Sequence, residues 1–382
     1  MSNIFYLPSI NLMGAGALSQ SIEQIKKLSL TKALLVTDKP LVSLGMISSI
    51  TQKLNEAGIE TIVFDGVKPN PTVTNVEDGL AILKQNNCDM VIAVGGGSPI
   101  DAAKAIALLA TNSGKIEDYA GIDLSKNPQL PLIAINTTAG TGSELTRFTI
   151  ITDEVNHIKM AIVDSNVTPL ISVNDSELMK GMPPALTAAT GMDALTHAIE
   201  ALVSTAATPF TDALAEKAIP MIFENLPKAV RDGGDMEARE AMMYAEAAAG
   251  AAFNSASLGA VHALAHQAGG LLDMPHGQAN AILLPHVLEY NAPSCLPQIR
   301  VIAKLLGSDG EKLSDKDVAD AVIWKIKQLS KEVGIPKGLS EFGVKEEHLP
   351  VLAENALKDA CIFTNPRKAT KEELIEVLRK AM

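Results

Sequence analysis

The stretch "VIAVGGGSPIDAAKAIALLA" (91–110) decides how the first half of this chain is read. An apolar, partly β-branched run stops at three consecutive glycines, and a segment with helical spacing follows. That order predicts a buried strand, a tight turn and a helix, with Ser98 at the helix cap and Pro99 in its first turn. Glycines let a backbone approach a ligand closely, and the free amides of a helix start attract phosphate. A strand-to-helix turn that binds nothing is the competing reading. The spacing is neither G-x-G-x-x-G nor G-x-x-x-x-G-K-[ST], so neither the usual dinucleotide fingerprint nor a P-loop applies.

The same grammar extends to both sides. "ALLVTD" (33–38), "TIVFDG" (61–66) and "LIAINTT" (132–138) read as strands, and "MISSITQKLNEAG" (46–58) and "NVEDGLAILKQNN" (75–87) as amphipathic helices between strands. Alternation at this spacing predicts a parallel sheet covered by helices, a Rossmann-like α/β fold. Further short strands are expected near "RFTIITD" (147–153) and "KMAIVDS" (159–165). A second glycine-bearing loop, "INTTAGTGSE" (135–144), brings the hydroxyls of Thr137, Thr138, Thr141 and Ser143 beside two glycines. Two such loops at strand C-terminal ends suit a pyrophosphate-containing ligand. Asp38 closes the first strong strand, where an acid can bind ribose hydroxyls and repel a 2′-phosphate; a plain turn cap over Asp38-Lys39-Pro40 is the alternative.

After Pro183–Pro184 the β-branched runs disappear, and Ala, Leu, Met and Glu dominate to the end. The expected organisation is therefore an α/β domain over 1–184 and an all-helical domain over 185–382. With 47% hydrophobic and 20% charged residues in 382, the chain has the makings of ordinary globular cores and not of a disordered tract. A net charge of −12 gives no general attraction to nucleic acid or anionic lipid, so neither is expected as a partner. Residues 247–272 carry no formal charge, but Asn254, Ser255, Ser257, His262, His266 and Gln267 interrupt them, which favours a buried helix or helix pair over a membrane span. Cys88, Cys295 and Cys361 are widely spaced and odd in number, as in a reducing cytoplasm, and the start "MSNIFYLPSINLMG" lacks the pattern of a signal peptide.

Five of the seven histidines fall between 197 and 286, in the least charged part of the helical half. Asp193 and His197 lie four apart on one helix face, as do His262 and His266, with His276 just past a Gly-Gly break. An unpaired polar group buried there costs several kcal/mol, on the order of 2–7. A hydrogen bond between Asp193 and His197 would satisfy that pair without any ligand. A shared divalent ion would satisfy the whole set: imidazoles with one carboxylate suit ferrous iron or zinc, and not magnesium or calcium. If the site keeps an open position, it is catalytic.

Together "GGGSPID" (95–101), "TTAGTGSE" (137–144), "GMDALTHAIEA" (191–201) and "HALAHQAGGLLDMPHGQANAILLPHV" (262–287) resemble the signature segments of the iron-containing alcohol dehydrogenases. The resemblance runs from "YLPSINLMGAGAL" to "DACIFTNPR", nearly the whole chain, and is nearest to the branch with fermentative ethanol dehydrogenases, lactaldehyde reductases and 1,3-propanediol dehydrogenases. It implies NAD-dependent interconversion of a small primary alcohol or diol and its aldehyde, with one divalent metal, Fe2+ ahead of Zn2+. Metal ligands then fall on Asp193, His197, His262 and His276, and His266 is the histidine implicated in proton transfer. Cofactor positions fall on Asp38, Asn70, Gly96, Gly97, Ser98, Thr137, Thr138, Thr141, Lys159 and Leu178; Phe148, Phe253 and Cys361 fall near the substrate. The resemblance also implies a homodimer, for which the β-rich "IFYLPSI" (4–10) offers an edge. Two positions depart from the pattern: Ile100 stands where relatives often carry histidine, and Leu202 where tyrosine is frequent. The rival readings are a metal-dependent cyclase of the dehydroquinate synthase type, which would need basic residues that the uncharged helical core lacks, and a non-catalytic NAD-binding protein with a closed structural metal.

Overall fold

The structure is a computed structural model that describes residues 3–156, 158–308 and 312–382. It divides into two compact units. The α/β unit comprises Tyr6–Thr138 and Gly142–Met179; the helical unit comprises Lys180–Met382, the residues up to Phe5, and Ala139–Thr141.

In chain order the α/β unit runs β1 (Ile10–Met13), α1 (Ala17–Lys26), β2 (Lys32–Val36), α2 (Lys39–Ser43), α3 (Met46–Glu56), β3 (Glu60–Phe64), α4 (Val73–Gln85), β4 (Met90–Gly95), α5 (Gly97–Thr111), β5 (Gly121–Ile122), β6 (Leu132–Asn136), β7 (Phe148–Asp153), β8 (Ile158–Val163) and β9 (Ile171–Asn174). Six strands form a parallel sheet in the order β1-β9-β6-β4-β2-β3, the sheet that the alternating sequence grammar predicts. β7 and β8 pair antiparallel in a second, three-stranded sheet with β5.

Successive strand residues point to opposite faces, and both faces are covered. Leu34, Val36, Val91, Ala93, Leu132 and Ala134 pack with Val76 and Leu83 of α4 and Ile100 and Ile106 of α5. Ala33, Leu35, Ile92, Val94, Ile133 and Ile135 pack on the other side, with Ile22 and Ile25 of α1 and Ile50 and Leu54 of α3. Burial on both faces explains why these strands read as continuous apolar runs and not as alternation. The chain steps from β2 outward to β3, then returns past β2 to β4 and continues to β6 and β9. β2 and β4 therefore flank the point where strand order reverses, the place where open α/β sheets bind ligands.

The helical unit contains α6 (Pro184–Val203), α7 (Pro209–Arg231), α8 (Met236–Ala256), α9 (Ala260–Leu272), α10 (His276–Asn291), α11 (Leu296–Leu305), α12 (Asp315–Glu332), α13 (Leu349–Ala356) and α14 (Lys371–Lys380). Its centre is α6, where every residue from Thr187 to Val203 is buried, packed against α7, α8 and α10. The uncharged stretch 247–272 is a helix pair, the end of α8 and all of α9. Among the described residues, no helix is long and apolar enough to cross a membrane.

Two local expectations are corrected. α5 starts at Gly97 with Gly96 as its N-cap, so Ser98 lies inside the first turn and caps nothing. The second is "IFYLPSI": only its last residue is in a strand, because Pro8 offers no amide for a ladder and β1 starts at Ile10.

Candidate active site

α6 places Asp193 and His197 one helical turn apart, α9 supplies His262, and His276 is the first residue of α10. Their ligand atoms all lie within 4.8 Å of one another. Asp193 Oδ1 is 3.8 Å from His262 Nε2 and 3.7 Å from His276 Nε2. Three of these residues are buried and His276 is partly exposed. With Nδ1 of His197 and of His262 facing oxygen acceptors, their Nε2 lone pairs turn toward the Asp193 carboxylate, an arrangement that a donor or a cation among them relieves. Asn280 answers part of that demand, its Nδ2 donating to Asp193 Oδ1 at 2.6 Å and lying 3.0 Å and 3.1 Å from Nε2 of His262 and His276. A cation at that point would meet the same lone pairs, so the donor set fits a divalent transition ion.

The surroundings set the imidazole tautomers. Gly140 O lies 3.2 Å from His197 Nδ1 and can only accept, so the proton sits on Nδ1 and Nε2 keeps its lone pair. Gly140 is required there: a Cβ would lie 2.4 Å from Thr190 Cβ and 2.8 Å from Thr190 O. On His262, Nδ1 is 2.6 Å from Glu200 Oε2, while Glu200 Oε1 accepts from the Val261 amide at 2.7 Å. A carboxylate there fixes the ring and turns the Nε2 lone pair toward Asp193, the arrangement in which an imidazole can hold a metal. Burial, reinforced by neighbouring histidines, holds His197 and His262 well below the usual imidazole range, so both stay in the neutral, ligating form. Burial raises the Glu200 carboxyl to about 7, against the backbone amides that favour its charge. Phe253 stacks on the His197 ring at 4.3 Å.

His266 stands beside this group, stacked on His276 with ring centroids 5.5 Å apart. Its Nδ1 is held 2.8 Å from Asp359 Oδ2. Burial works against the charge of Asp359, but the His266 imidazole and the bonds from His266 and Cys361 outweigh it and keep the carboxyl below its ordinary range. His266, Asp359 and Cys361 also bring ligand atoms within 4.8 Å of one another.

Among the expected cofactor residues, Asp38 follows β2 and Gly96 and Gly97 follow β4, the two strands that flank the strand-order reversal. Gly96 caps α5 and Gly97 begins it; a Cβ on Gly96 would lie 2.9 Å from Thr138 Cγ2, so the two glycine loops touch. Asp38 follows β2 and accepts from the Leu41 amide at 3.0 Å, which makes it the N-cap of α2; this is compatible with a further role toward ribose. Lys159 Nζ donates to Asn70 Oδ1 at 2.7 Å, and Asn70 adopts φ 56°, a left-handed conformation Asn tolerates. Leu178 packs on the sheet face that carries Ile171 and Val173. Thr137 is buried in the α/β unit, whereas Thr141 belongs to the helical unit. Phe148 lies in β7, where its carbonyl accepts from Lys104.

Sequence reasoning missed Glu200, Asn280 and Asp359. Glu200 follows His197 by three positions on the same buried helix, and Asn280 follows His276 by four, so both were readable from spacing. Asp359 is 93 positions from His266 and carried no local signal.

Residues 8–176 match the family described as iron-containing alcohol dehydrogenase, and residues 187–382 match the C-terminal part of the Fe-containing alcohol dehydrogenase family. Alcohol dehydrogenase 4 of Schizosaccharomyces pombe is 52% identical over 380 residues, 99% of this chain and 89% of that protein. The 1,3-propanediol dehydrogenase of Citrobacter freundii is 48% identical over 379 residues, 99% of this chain and 98% of that protein. The crystal structure of a 1,3-propanediol oxidoreductase superposes with a TM-score of 0.97 at 48% identity, covering 100% of both chains. The chain belongs to the iron-containing alcohol dehydrogenase family. It is an NAD-dependent, metal-containing oxidoreductase of alcohols and aldehydes, and the resemblance read from its motifs is borne out.

Proposed function

We propose that the protein interconverts a small primary alcohol or diol and its aldehyde, and that Asp193, His197, His262 and His276 hold its one divalent metal, Fe2+ ahead of Zn2+. The observation that carries this reading is the convergence of those four donors within 4.8 Å. When bound, the ion supplies Lewis-acid polarisation of the substrate oxygen. Asp38, Asn70, Gly96, Gly97, Ser98, Thr137, Thr138, Thr141, Lys159 and Leu178 bind NAD(H). The α5 amides receive the pyrophosphate, and the Asp38 carboxylate takes ribose hydroxyls. Bound there, the nicotinamide would supply the hydride acceptor for oxidation and the donor for reduction, and His266 Nε2 would pass the hydroxyl proton to or from solvent. Asp359 keeps the His266 ring turned for that exchange.

The α/β domain to residue 184 is assigned the cofactor and the helical domain from 185 the metal. A homodimer is supported by β1, which has an open edge on the six-stranded sheet. A cytoplasmic location is supported by three free, buried thiols. The test is metal-replete protein with NAD and a panel of short alcohols and diols, following reduced nicotinamide. His262→Ala is expected to lose bound metal and turnover together; a metal-free variant that still turns over defeats the assignment.

A further inference from the structure

One buried cluster of charges lies in the α/β unit and is used by none of the steps above. Lys104, on α5, has no solvent exposure, and Glu144 and Asn174 have none either. All three ammonium protons are directed: Nζ donates to Phe148 O at 2.6 Å, Ser143 Oγ at 3.1 Å and Thr146 Oγ1 at 3.3 Å. Ser143 Oγ in turn donates to Asp101 Oδ1 at 2.5 Å, and Asp101 Oδ2 accepts from the Ile150 amide at 2.9 Å. Residues 101 and 104 of α5 thus grip the segment just after the second glycine loop.

From Glu144 the chain of bonds continues through the sheet. Glu144 Oε1 accepts from Asn174 Nδ2 at 2.8 Å, and Asn174 Oδ1 accepts from Asn136 Nδ2 at 2.9 Å. Asn136 Oδ1 then accepts from the Thr138 amide at 3.0 Å and from Thr138 Oγ1 at 3.3 Å. Thr138 touches Gly96, the N-cap of the helix that carries Lys104. The path closes on itself and encloses the ends of β4, β6 and β9.

A lysine and a carboxylate without solvent exposure are costly to desolvate, and well-packed apolar side chains of the same size often serve stability as well or better. Burial pushes the Lys104 ammonium down to about 8, while Asp101 and Glu144 pull the other way. What such a ring supplies is a fixed geometry, because its mutually bonded side chains hold one another's orientation.

We propose that Lys104 is a positioning residue for the cofactor: it locks the loop at Gly95–Ser98 and the loop at Thr137–Glu144 in the one relative placement that grips the NAD(H) pyrophosphate. The proposal rests on the reading of those loops as the cofactor site. With no solvent exposure, Lys104 acts at a distance from the cofactor, through Ser143, Glu144 and Thr138.

The test measures NADH affinity by fluorescence titration on metal-replete protein, with metal content and circular dichroism as controls. Lys104→Met is expected to weaken NADH binding about tenfold, to raise KM for NAD in step, and to leave kcat at saturating NAD within about twofold. A cycle of Lys104→Met with Thr138→Ala is expected to be non-additive in NADH affinity by at least about threefold, which a merely structural lysine would not produce. Asn174→Ala opens the ring on its far side without removing a charge, and is expected to weaken NADH binding in the same direction; it serves if Lys104→Met does not fold. Gly96→Val separates the two readings. If it binds NADH as the wild type does, the loop assignment fails and this proposal with it. If Gly96→Val loses NADH while folded Lys104→Met and Asn174→Ala bind within about twofold of wild type, the positioning role alone is overturned.

Discussion

At the scale of single residues, Glu200 and Asp38 show how a side chain acts through its neighbours. Glu200 bonds His262 Nδ1 at 2.6 Å while the Val261 amide anchors its other oxygen. Glu200→Gln keeps the shape but replaces the ionisable carboxyl beside His262 Nδ1 with a neutral amide, so His262 becomes a poorer metal ligand. The expected result is about 10–100-fold weaker metal affinity in chelator competition, with the fold intact. Unchanged affinity would show that the carboxylate only fills space. Asp38 both caps α2 and is assigned to the ribose. Asp38→Gly costs a few tenths of a kcal/mol as a cap, roughly, because glycine is a tolerated N-cap. Removing its charge is expected to improve kcat/KM with NADP(H) relative to NAD(H) on the order of tenfold, equivalent to about 1.4 kcal/mol. An unaltered ratio in steady-state kinetics counts against the assignment. Asp193 and His197, like His262 and His266, stand out in the sequence as polar residues at four-residue spacing in apolar helices, with His276 past a Gly-Gly break, whereas the choice of four ligands among them came from the family resemblance. Asp359 was not legible, since only the fold brings it to His266.

At the scale of elements, the metal group depends on how closely helices approach. Gly277, in the first turn of α10, faces the backbone of α6: a Cβ would lie 2.5 Å from Ala189 O and 2.8 Å from Ala189 C. Backbone cannot yield as a flexible side chain can, so Gly277→Ala must push the start of α10 away from α6. His276 is the adjacent residue, and Asp193 is one turn further along α6 from Ala189. The substitution touches no ligand, yet it is expected to cost about 1–3 kcal/mol of stability as an overpacked contact. Metal affinity should fall along with it. Full metal affinity in a destabilised Gly277→Ala protein would show that the cage tolerates movement of α10. Spacing cannot reveal such contacts, which explains why helix identities were legible and helix approach was not. Strands divide similarly. β2, β3, β4 and β6 stood out as apolar runs, whereas β1 and β9, four residues each and bearing Asn11, Ser172 and Asn174, lacked that composition.

For the whole molecule, the proposed ligand set implies that metal and stability are linked in the helical unit. α6, α9 and α10 contribute all four donors, so a bound ion joins three helices that otherwise present a carboxylate and three imidazoles to one another. Any ligand that binds only the folded state stabilises it, by about 2.7 kcal/mol when present at a hundred times its Kd. A unit of this size gains about 2–4 °C in Tm per kcal/mol, so chelation is expected to lower the helical unit's transition by about 5–10 °C. Anaerobic ferrous iron should restore it, and zinc should do so to the extent that the same donors accept it. The measurement is calorimetry on replete, chelated and reconstituted protein, with elemental analysis of each sample. If the chelated protein has lost its metal and still melts where the replete protein does, the ion does not bridge these helices, and the ligand assignment to Asp193, His197, His262 and His276 falls.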